Sequence, residues 1–302
     1  MTEIPVRADF PKDARELFAG YLQRHGVDVA ESLTPWDVAL RYYDFVRRQI
    51  PMRPRQVVRS KELDGRTLPA DLSAGVQAIV EDSIAGRDLS PYRSKQWKNL
   101  DQHDFLFNDW GVHHLHLGGR RIGRGGFVAR TDEVVFLRAT RDTIYLIDVH
   151  RHDPSAAPTA FARQELVEIL HGNWPHLIAD ARCPGVSNLT PNSDESRQML
   201  SRRRKGTKFG MGVETKDGTV YTLLGGGLVT TGASLTAVRQ ANSLMNSVHR
   251  LQTACLTRRV EIQEMIAEKF GTPLNELHLA LMVRDGNFVA WETQAKVGLL
   301  WD

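Results

Sequence analysis

The stretch that decides the fold is Glu133–His152, "EVVFLRATRDTIYLIDVHRH". Two runs rich in β-branched and aromatic residues flank the polar pair Arg141–Asp142, which is typical of two strands joined by a tight turn. So short a connection favours antiparallel pairing. The upstream segment 112–118, "VHHLHLG", has the same character. The sequence therefore predicts an antiparallel β-meander in the middle of the chain.

Both flanks of the meander have helical periodicity instead. The segment 33–51, "LTPWDVALRYYDFVRRQIP", offers Thr34 as an N-cap and Pro35 at the first helical position. A second helix is expected over 71–86, "DLSAGVQAIVEDSIAG", ending at its glycine. After the meander, 159–172, "TAFARQELVEILHG", predicts a helix that covers the apolar face of the sheet.

The predicted fold class is α+β, and composition divides the chain into four segments. These are a helical N-terminal region (1–98), the central meander with its covering helix (99–182), a polar and basic linker (183–207) and a C-terminal αβ module (208–302). In the last segment, two Asp-Gly pairs at 217–218 and 285–286 mark hairpins, and a long helix is expected from Ser234.

Composition excludes several classes of protein. Apolar content of 41% and charged content of 25% are ordinary for a globular chain of 302 residues. There is no run of about 18 apolar residues and no apolar core near the N-terminus, so we expect a cytoplasmic protein without membrane contact. Cys183 and Cys255 lack metal-ligand spacing, which argues against a thiolate zinc site or a disulfide framework.

Arginines are unevenly distributed, although the net charge is only +3. Several acid-free spans predict contact with a nucleic-acid backbone, RNA more than DNA. The alternative is that these spans are solvated faces and a basic linker. The residues predicted to bind nucleic acid are Arg53, Arg55, Arg59, Arg120, Arg121, Arg124, Arg130 and Arg203.

Alternation along a strand sorts the polar residues of the meander by face. His114 and His116 share one face of their strand, and Asp148 and His150 share one face of theirs. If the strands pair suitably, these four side chains face a common cleft. The residues expected on the opposite faces are His113, Leu115, Leu117, Tyr145, Ile147 and Val149.

Three interpretations of these histidines remain open. His114 and His116 have a real ligand spacing, and a carboxylate with another imidazole could complete a zinc or manganese shell. Alternatively, the imidazoles act without metal as an acid/base set, with Asp148 orienting one of them. In the third interpretation they are structural, which we expect of His113.

The run 119–154, "GRRIGRGGFVARTDEVVFLRATRDTIYLIDVHRHDP", resembles the end of RelE and HigB type toxin nucleases. The resemblance covers about 60 of the 302 residues, and Phe127 and Val128 stand where that family has an aromatic residue before its arginine. It implies a small curved sheet that cleaves RNA without metal. Arg130 would hold the scissile phosphate, and His150 would lie near the active groove. The segment 109–118 also resembles part of bacterial conflict or defence proteins.

The sequence thus predicts a metal-independent endoribonuclease of toxin or phage-defence type. His114, His116 and His150 are the acid/base candidates, with Asp148 as their orienting carboxylate, and no cofactor is expected. A protein partner such as an antitoxin would suit the C-terminal module, and the oligomeric state is open. One alternative is a non-catalytic nucleic-acid-binding or regulatory protein. A second is a metal-dependent phosphoesterase.

Overall fold

The computed structural model describes residues 4–102, 104–119, 121–122, 126–151, 164–187, 212–271 and 273–299, with backbone alone at 105, 121 and 122. Contacts divide the chain into two compact units. The central unit is Arg48–Thr236, and the terminal unit is Met1–Arg47 together with Ala237–Asp302. These bounds differ from the four predicted segments. Of the predicted linker, residues 188–207 lie outside the described part of the chain.

The elements follow one another as an α+β protein. The helices are α1 (Phe10–Arg24), α2 (Pro35–Arg48), α3 (Lys61–Asp64), α4 (Ala70–Ile84), α5 (Phe105–Trp110), α6 (Gln164–Asn173), α7 (Leu235–Thr257) and α8 (Arg259–Phe270). The strands are β1 (Val6–Ala8), β2 (Gln56–Arg59), β3 (His113–His116), β4 (Arg121–Ile122), β5 (Phe127–Val128), β6 (Glu133–Ala139), β7 (Thr143–Arg151), β8 (Val213–Glu214), β9 (Val220–Tyr221), β10 (Leu277–Arg284), β11 (Asn287–Glu292) and β12 (Val297–Leu299). No helix among the described residues is both long and apolar enough to cross a membrane.

The terminal unit contains a four-stranded sheet in the order β1-β10-β11-β12. The predicted hairpin at 285–286 joins β10 to β11, and both turn residues have positive φ (51° at Asp285, 79° at Gly286), as a two-residue hairpin loop requires. Helix α2 begins where its sequence predicts. Thr34 Oγ1 accepts a hydrogen bond from the Asp37 N–H at 3.2 Å, and the Thr34 N–H donates to the Asp37 carboxylate at 3.0 Å.

The central unit contains the predicted meander. Its sheet has the order β2-β7-β6-β3, and β3, β6 and β7 pair antiparallel. The antiparallel pairing predicted for the meander is therefore confirmed, and the sheet as a whole is mixed because β2 adds to β7 in parallel. This strand comes from the basic connector between the two predicted N-terminal helices. The long intervening chain, with α3 and α4, supplies the crossover that parallel pairing needs.

Each face of this sheet is covered by apolar packing. On the first face, α4 contributes Leu72, Val76 and Ile79 to a cluster that contains Leu115 and Leu146. Burying one such aliphatic side chain stabilises the fold by about 1.5–3 kcal/mol. Helix α4 approaches closely at Gly75, where a Cβ would lie 2.0 Å from the Leu117 carbonyl oxygen.

The second face is covered by α5 and α6. Leu166, Val167 and Leu170 of α6 pack in one cluster with Phe136 and Ile147. This arrangement corrects the expectation that the helix after the meander covers the rows opposite the polar side chains. It lies instead on the face that carries His114 and His116. Both faces of the sheet are apolar, so both must be covered. The face that carries the histidines is therefore open to solvent over only part of its length.

Candidate functional site

Sheet register brings the four predicted acid/base residues onto one face. Strands β3 and β7 both pair with β6, and residues opposite one another in antiparallel strands share a face. One cross-strand row is His114, Phe136 and Asp148, and the next row is His116, Val134 and His150. The two predicted pairs agree with the register, whereas Tyr145 and Ile147, expected on the opposite face, lie on this one.

Strand β6 nevertheless separates the two histidine-bearing strands. Val134 and Phe136 occupy the middle of the two rows, and both are fully buried. Neighbouring strands lie about 4.8 Å apart, which leaves β3 and β7 roughly 10 Å apart. The predicted set therefore divides into a pair on β3 and a pair on β7, with apolar side chains between them.

A β-bulge shapes the β7 pair. The register shifts between Phe136 and Leu137, so that Ile147 is an extra residue opposite no partner on β6. Strict alternation places Tyr145, Ile147 and Val149 on one face. Because of the bulge, Ile147 packs under α6 whereas Val149 packs on the opposite face. A bulge re-aims side chains locally and is common beside functional sites.

Asp148 and His150 form a buried polar pair at this bulge. The His150 Nε2 lies 3.0 Å from Asp148 Oδ2, with side-chain exposures of 9% and 1%. Arg66 donates from Nη2 to the same carboxylate oxygen at 2.6 Å, and the Val149 N–H donates to Oδ1 at 2.8 Å. Burial raises the pKa of the Asp148 carboxyl, but the hydrogen bonds from His150, Val149 and Arg66 outweigh it and hold that pKa below its usual value.

Glu165, in the first turn of α6, completes the cluster. Its Oε2 lies 3.6 Å from His150 Nε2, and its side chain is 52% exposed. A helix N-terminus stabilises a nearby negative charge. Ligand atoms of Asp148, His150 and Glu165 all lie within 4.8 Å of one another. These three residues with Arg66 are called the β7 site below. The site can exchange protons, hold a phosphate at Arg66 or bind a divalent cation.

Two local anchors hold the β7 site in place. Ser60 caps α3 by accepting from the Leu63 N–H at 3.0 Å, and its hydroxyl donates to the Ile147 carbonyl at 2.5 Å. The Lys61 N–H donates to the Asn173 side chain at 3.0 Å, which ties α3 to the end of α6. Because β2 ends at Arg59, the edge of β7 beyond it is open to α3 and to Arg66.

The β3 histidines have a different environment. His116 is 2% exposed, and its Nδ1 lies 3.3 Å from the Thr131 carbonyl oxygen. His114 is half-buried. His113, expected to be structural, is 5% exposed and has its ring 4.4 Å from that of Phe107.

Two of the arginines predicted to bind nucleic acid have partners within the protein. Arg55 is buried, and its guanidinium donates to the carbonyl oxygens of Pro51, Arg53 and Thr140. It therefore fixes the connector rather than facing a ligand. Arg59 pairs with Asp64 at 2.8 Å on the surface.

The other predicted arginines divide into exposed and undescribed positions. Arg53 is half-buried, and Arg130 is exposed. Only the backbone of Arg121 is described, and Arg120, Arg124 and Arg203 lie outside the described residues. Among the described arginines, Arg66 is the one that donates to the Asp148–His150 pair.

A second polar chain links α6 to the β8–β9 hairpin. His171 Nδ1 lies 2.8 Å from the Tyr221 hydroxyl, and its Nε2 lies 3.0 Å from Asp217 Oδ2. Hydrogen bonds, first of all from the Thr215 hydroxyl, hold the pKa of Asp217 well below its usual range. Tyr221 is 2% exposed, so this hydrogen-bonded chain fastens the hairpin to α6.

Sequence reasoning did not find Arg66 or Glu165. Arg66 lies well before the meander, Glu165 lies in the helix that follows it, and neither stands in a recognisable motif. The chain matches no family model, no curated protein and no solved structure.

Proposed function

We propose that this chain is a metal-independent endoribonuclease with a RelE-like central sheet, acting as a bacterial toxin or defence protein. The observation that carries the proposal is the convergence of Asp148, His150 and Glu165 beside Arg66 at one end of β7. Exposed Glu165 and partly exposed Arg66 give this end of the strand access to solvent.

The proposed reaction uses the 2′-hydroxyl of RNA as the nucleophile. Glu165 takes the 2′-hydroxyl proton as the 2′-oxygen bonds to phosphorus, and imidazolium His150 gives a proton to the departing 5′-oxygen. The products are a 2′,3′-cyclic phosphate and a 5′-hydroxyl. Asp148 stabilises the imidazolium, and Arg66 offsets the charge that develops on the phosphate.

Cleavage of single-stranded RNA in the presence of a chelator tests this function. We expect products with cyclic phosphate ends, and a rate that falls roughly 10²- to 10⁴-fold in Glu165→Gln and in His150→Ala, since general acid and base groups contribute that much. Asp132→Asn is the matched control, because Asp132 is an exposed carboxylate that pairs only with Arg151 among the described residues.

Expression in a bacterial host provides a second readout. The wild-type chain is expected to be toxic, and His150→Ala to relieve the toxicity. If the purified protein cleaves no RNA, alone or with ribosomes, the proposal is wrong. RNA binding that survives His150→Ala and Glu165→Gln without any cleavage supports instead a non-catalytic nucleic-acid-binding protein.

A second candidate function, metal-dependent phosphoesterase, is favoured by one specific observation. Two carboxylates and an imidazole present ligand atoms within 4.8 Å of one another. Imidazole with carboxylates suits zinc or manganese, and a bound ion there would polarise a phosphoryl oxygen. Arg66 already donates to Asp148 Oδ2, so a cation would have to share that carboxylate.

Chelator and metal separate the two candidates. Activity lost with chelator and restored by added zinc or manganese supports the phosphoesterase. Activity that survives the chelator supports the metal-independent nuclease. Binding of Mn²⁺, followed by its paramagnetic resonance signal, checks the ligand set directly, and Glu165→Gln would weaken it.

A further inference from the structure

Arg138, on β6, is a charged residue in an otherwise apolar row. Its strand neighbour on the same face is Phe136, two residues before it, and its cross-strand partner is Tyr145. The guanidinium nitrogen Nη1 is buried and has no hydrogen-bond partner. Among the described residues, Arg138 makes neither a hydrogen bond nor an ion pair. By contrast, Arg55 donates hydrogen bonds to carbonyl oxygens, and Arg59 forms an ion pair with Asp64.

A cation that is partly withdrawn from water, with no partner among the described residues, is unfavourable. Arg138 is half-buried, and burial lowers its pKa with no carboxylate opposing that shift. Removing a charge from water is costly unless a partner compensates. A guanidinium remains charged at any physiological pH, so it cannot escape this penalty by losing its proton. An anion supplied from outside the chain would compensate the charge.

The side chains around Arg138 are aromatic rather than acidic. Tyr145, directly opposite, is half-buried and has its ring 5.1 Å from that of Trp174. The exposed ring of His176 lies 6.3 Å from the same tyrosine. Arg138 and Tyr145 are cross-strand partners and so share one face of the sheet. A cation and aromatic rings on one face can together hold a phosphate and a stacked base.

The backbone at Gly111 lies beside the guanidinium. Gly111 ends α5 with φ of 64°, and a Cβ at that position would lie 3.9 Å from the Arg138 Cζ, an ordinary van der Waals contact. Glycine is favoured there by its positive φ.

We propose that Arg138, with Tyr145 and His176, forms a subsite for one phosphate of single-stranded RNA and its adjacent base. This inference rests on the proposed function for the identity of the RNA. Tyr145 and His150 are five residues apart on β7, or about 16 Å along an extended strand. The subsite would therefore hold substrate away from the scissile phosphate, and its loss would raise KM while leaving kcat nearly unchanged.

Binding of inorganic phosphate and of a short single-stranded RNA tests the subsite without relying on cleavage. The probe is an oligonucleotide of about ten residues with 2′-O-methyl groups, which blocks attack by the 2′-hydroxyl. Arg138→Met should weaken its binding by about tenfold and lower the slope of log affinity against log salt by about 0.7, the value for one phosphate contact on a single strand. Phosphate should raise the Tm of the wild type and not that of the variant.

Stability gives an independent readout that a purely structural arginine would not show. Without ligand, Arg138→Met should be as stable as the wild type or more stable, because it removes an unpaired charge. Arg138→Gln serves as the second variant if the methionine variant does not fold. Arg141→Gln is the matched control, since Arg141 lies at the adjacent turn and is 81% exposed.

The outcomes separate the subsite from the proposed function. Weaker RNA binding in Arg138→Met with unchanged binding in Arg141→Gln supports the subsite, even if the wild type cleaves no RNA. RNA affinity and phosphate response that are the same in wild type and both Arg138 variants overturn it. Equal weakening in the Arg141 control also overturns it, because general electrostatics would then account for the effect.

Discussion

The carboxylate of Asp148 lies 3.0 Å from the imidazole of His150, two residues further along the same strand. Side chains at these positions point to the same face, and the bulge at Ile147 sets where that face lies. Arg66, which follows α3, and Glu165, in the first turn of α6, both reach this pair. A strand irregularity with two flanking helical segments thus assembles a polar cluster in an otherwise apolar sheet.

Asp148→Asn should destabilise the protein in a pH-dependent way. The pKa of Asp148 is lowered in the fold, so its stabilising contribution is complete above the unfolded value of about 3.9 and is lost as pH falls through the folded value. We expect a loss of about 1–3 kcal/mol in the free energy of unfolding at pH 7, moderated because Arg66 is partly exposed. Urea unfolding between pH 7 and pH 3 measures it.

For this variant, the difference from the wild type should shrink only below about pH 4. A constant difference down to pH 3 would contradict the depressed pKa. Asp132→Asn is the control, because its carboxylate is 73% exposed and its surface pair contributes little.

Two glycines of the central unit should respond oppositely to alanine. Gly75→Ala would place a Cβ against the Leu117 backbone, and backbone cannot move aside cheaply, so we expect a loss of about 2 kcal/mol or more. Gly172→Ala, in α6, meets nothing within 4 Å and should stabilise the protein by up to about 1 kcal/mol. Thermal or urea unfolding compares the two. Equal effects would mean that α4 does not pack on the sheet as described.

The two cysteines should react with a thiol reagent at very different rates. Cys255 is fully buried, and burial raises the pKa of its thiol to about 11. Cys183 is partly exposed. At pH 8 a colorimetric disulfide reagent should modify Cys183 rapidly and Cys255 only after denaturation, because the thiolate is the reactive form. Cys183→Ser should abolish the fast phase, and a fast phase that persists would contradict this assignment.

Much of the fold could be predicted from local patterns. The cap at Thr34, the Asp285–Gly286 turn and the runs that form β6 and β7 all specify their elements over a few residues. Strand β2 could not be predicted, because its four residues, "QVVR", lie in a basic connector and show no alternation of apolar and polar side chains. Its pairing with β7 is a long-range contact, and four residues of sequence do not encode such a partner.

The candidate site was only partly predictable for the same reason. Alternation grouped Asp148 with His150 and His114 with His116, but only the register shows that the two pairs share a face. It could not reveal the bulge, which depends on packing against α3 and α6. The search for acid-free spans selected Arg55, which donates to carbonyl groups inside the fold. It missed Arg66, which follows a short helix and reaches Asp148.

Double-mutant cycles should show that the two polar pairs on the sheet are energetically separate. Asp148 and His150 share a hydrogen bond, so replacing both should deviate from additivity by about 0.5–3 kcal/mol in the free energy of unfolding. His116 and His150 stand in one row but are separated by buried Val134, roughly 10 Å from strand to strand. Sites that far apart without a shared partner should be additive within about 0.5 kcal/mol. The cycles need His116→Ala, His150→Ala, Asp148→Ala and the two double variants, measured by urea unfolding at pH 7.

The RNA cleavage assay allows the same comparison. Coupling of His116 to His150 as strong as that of Asp148 to His150 would mean that the four residues act as one acid/base set. If His116 and His150 are additive and only Asp148 and His150 are coupled, the chemistry is located at Asp148, His150 and Glu165.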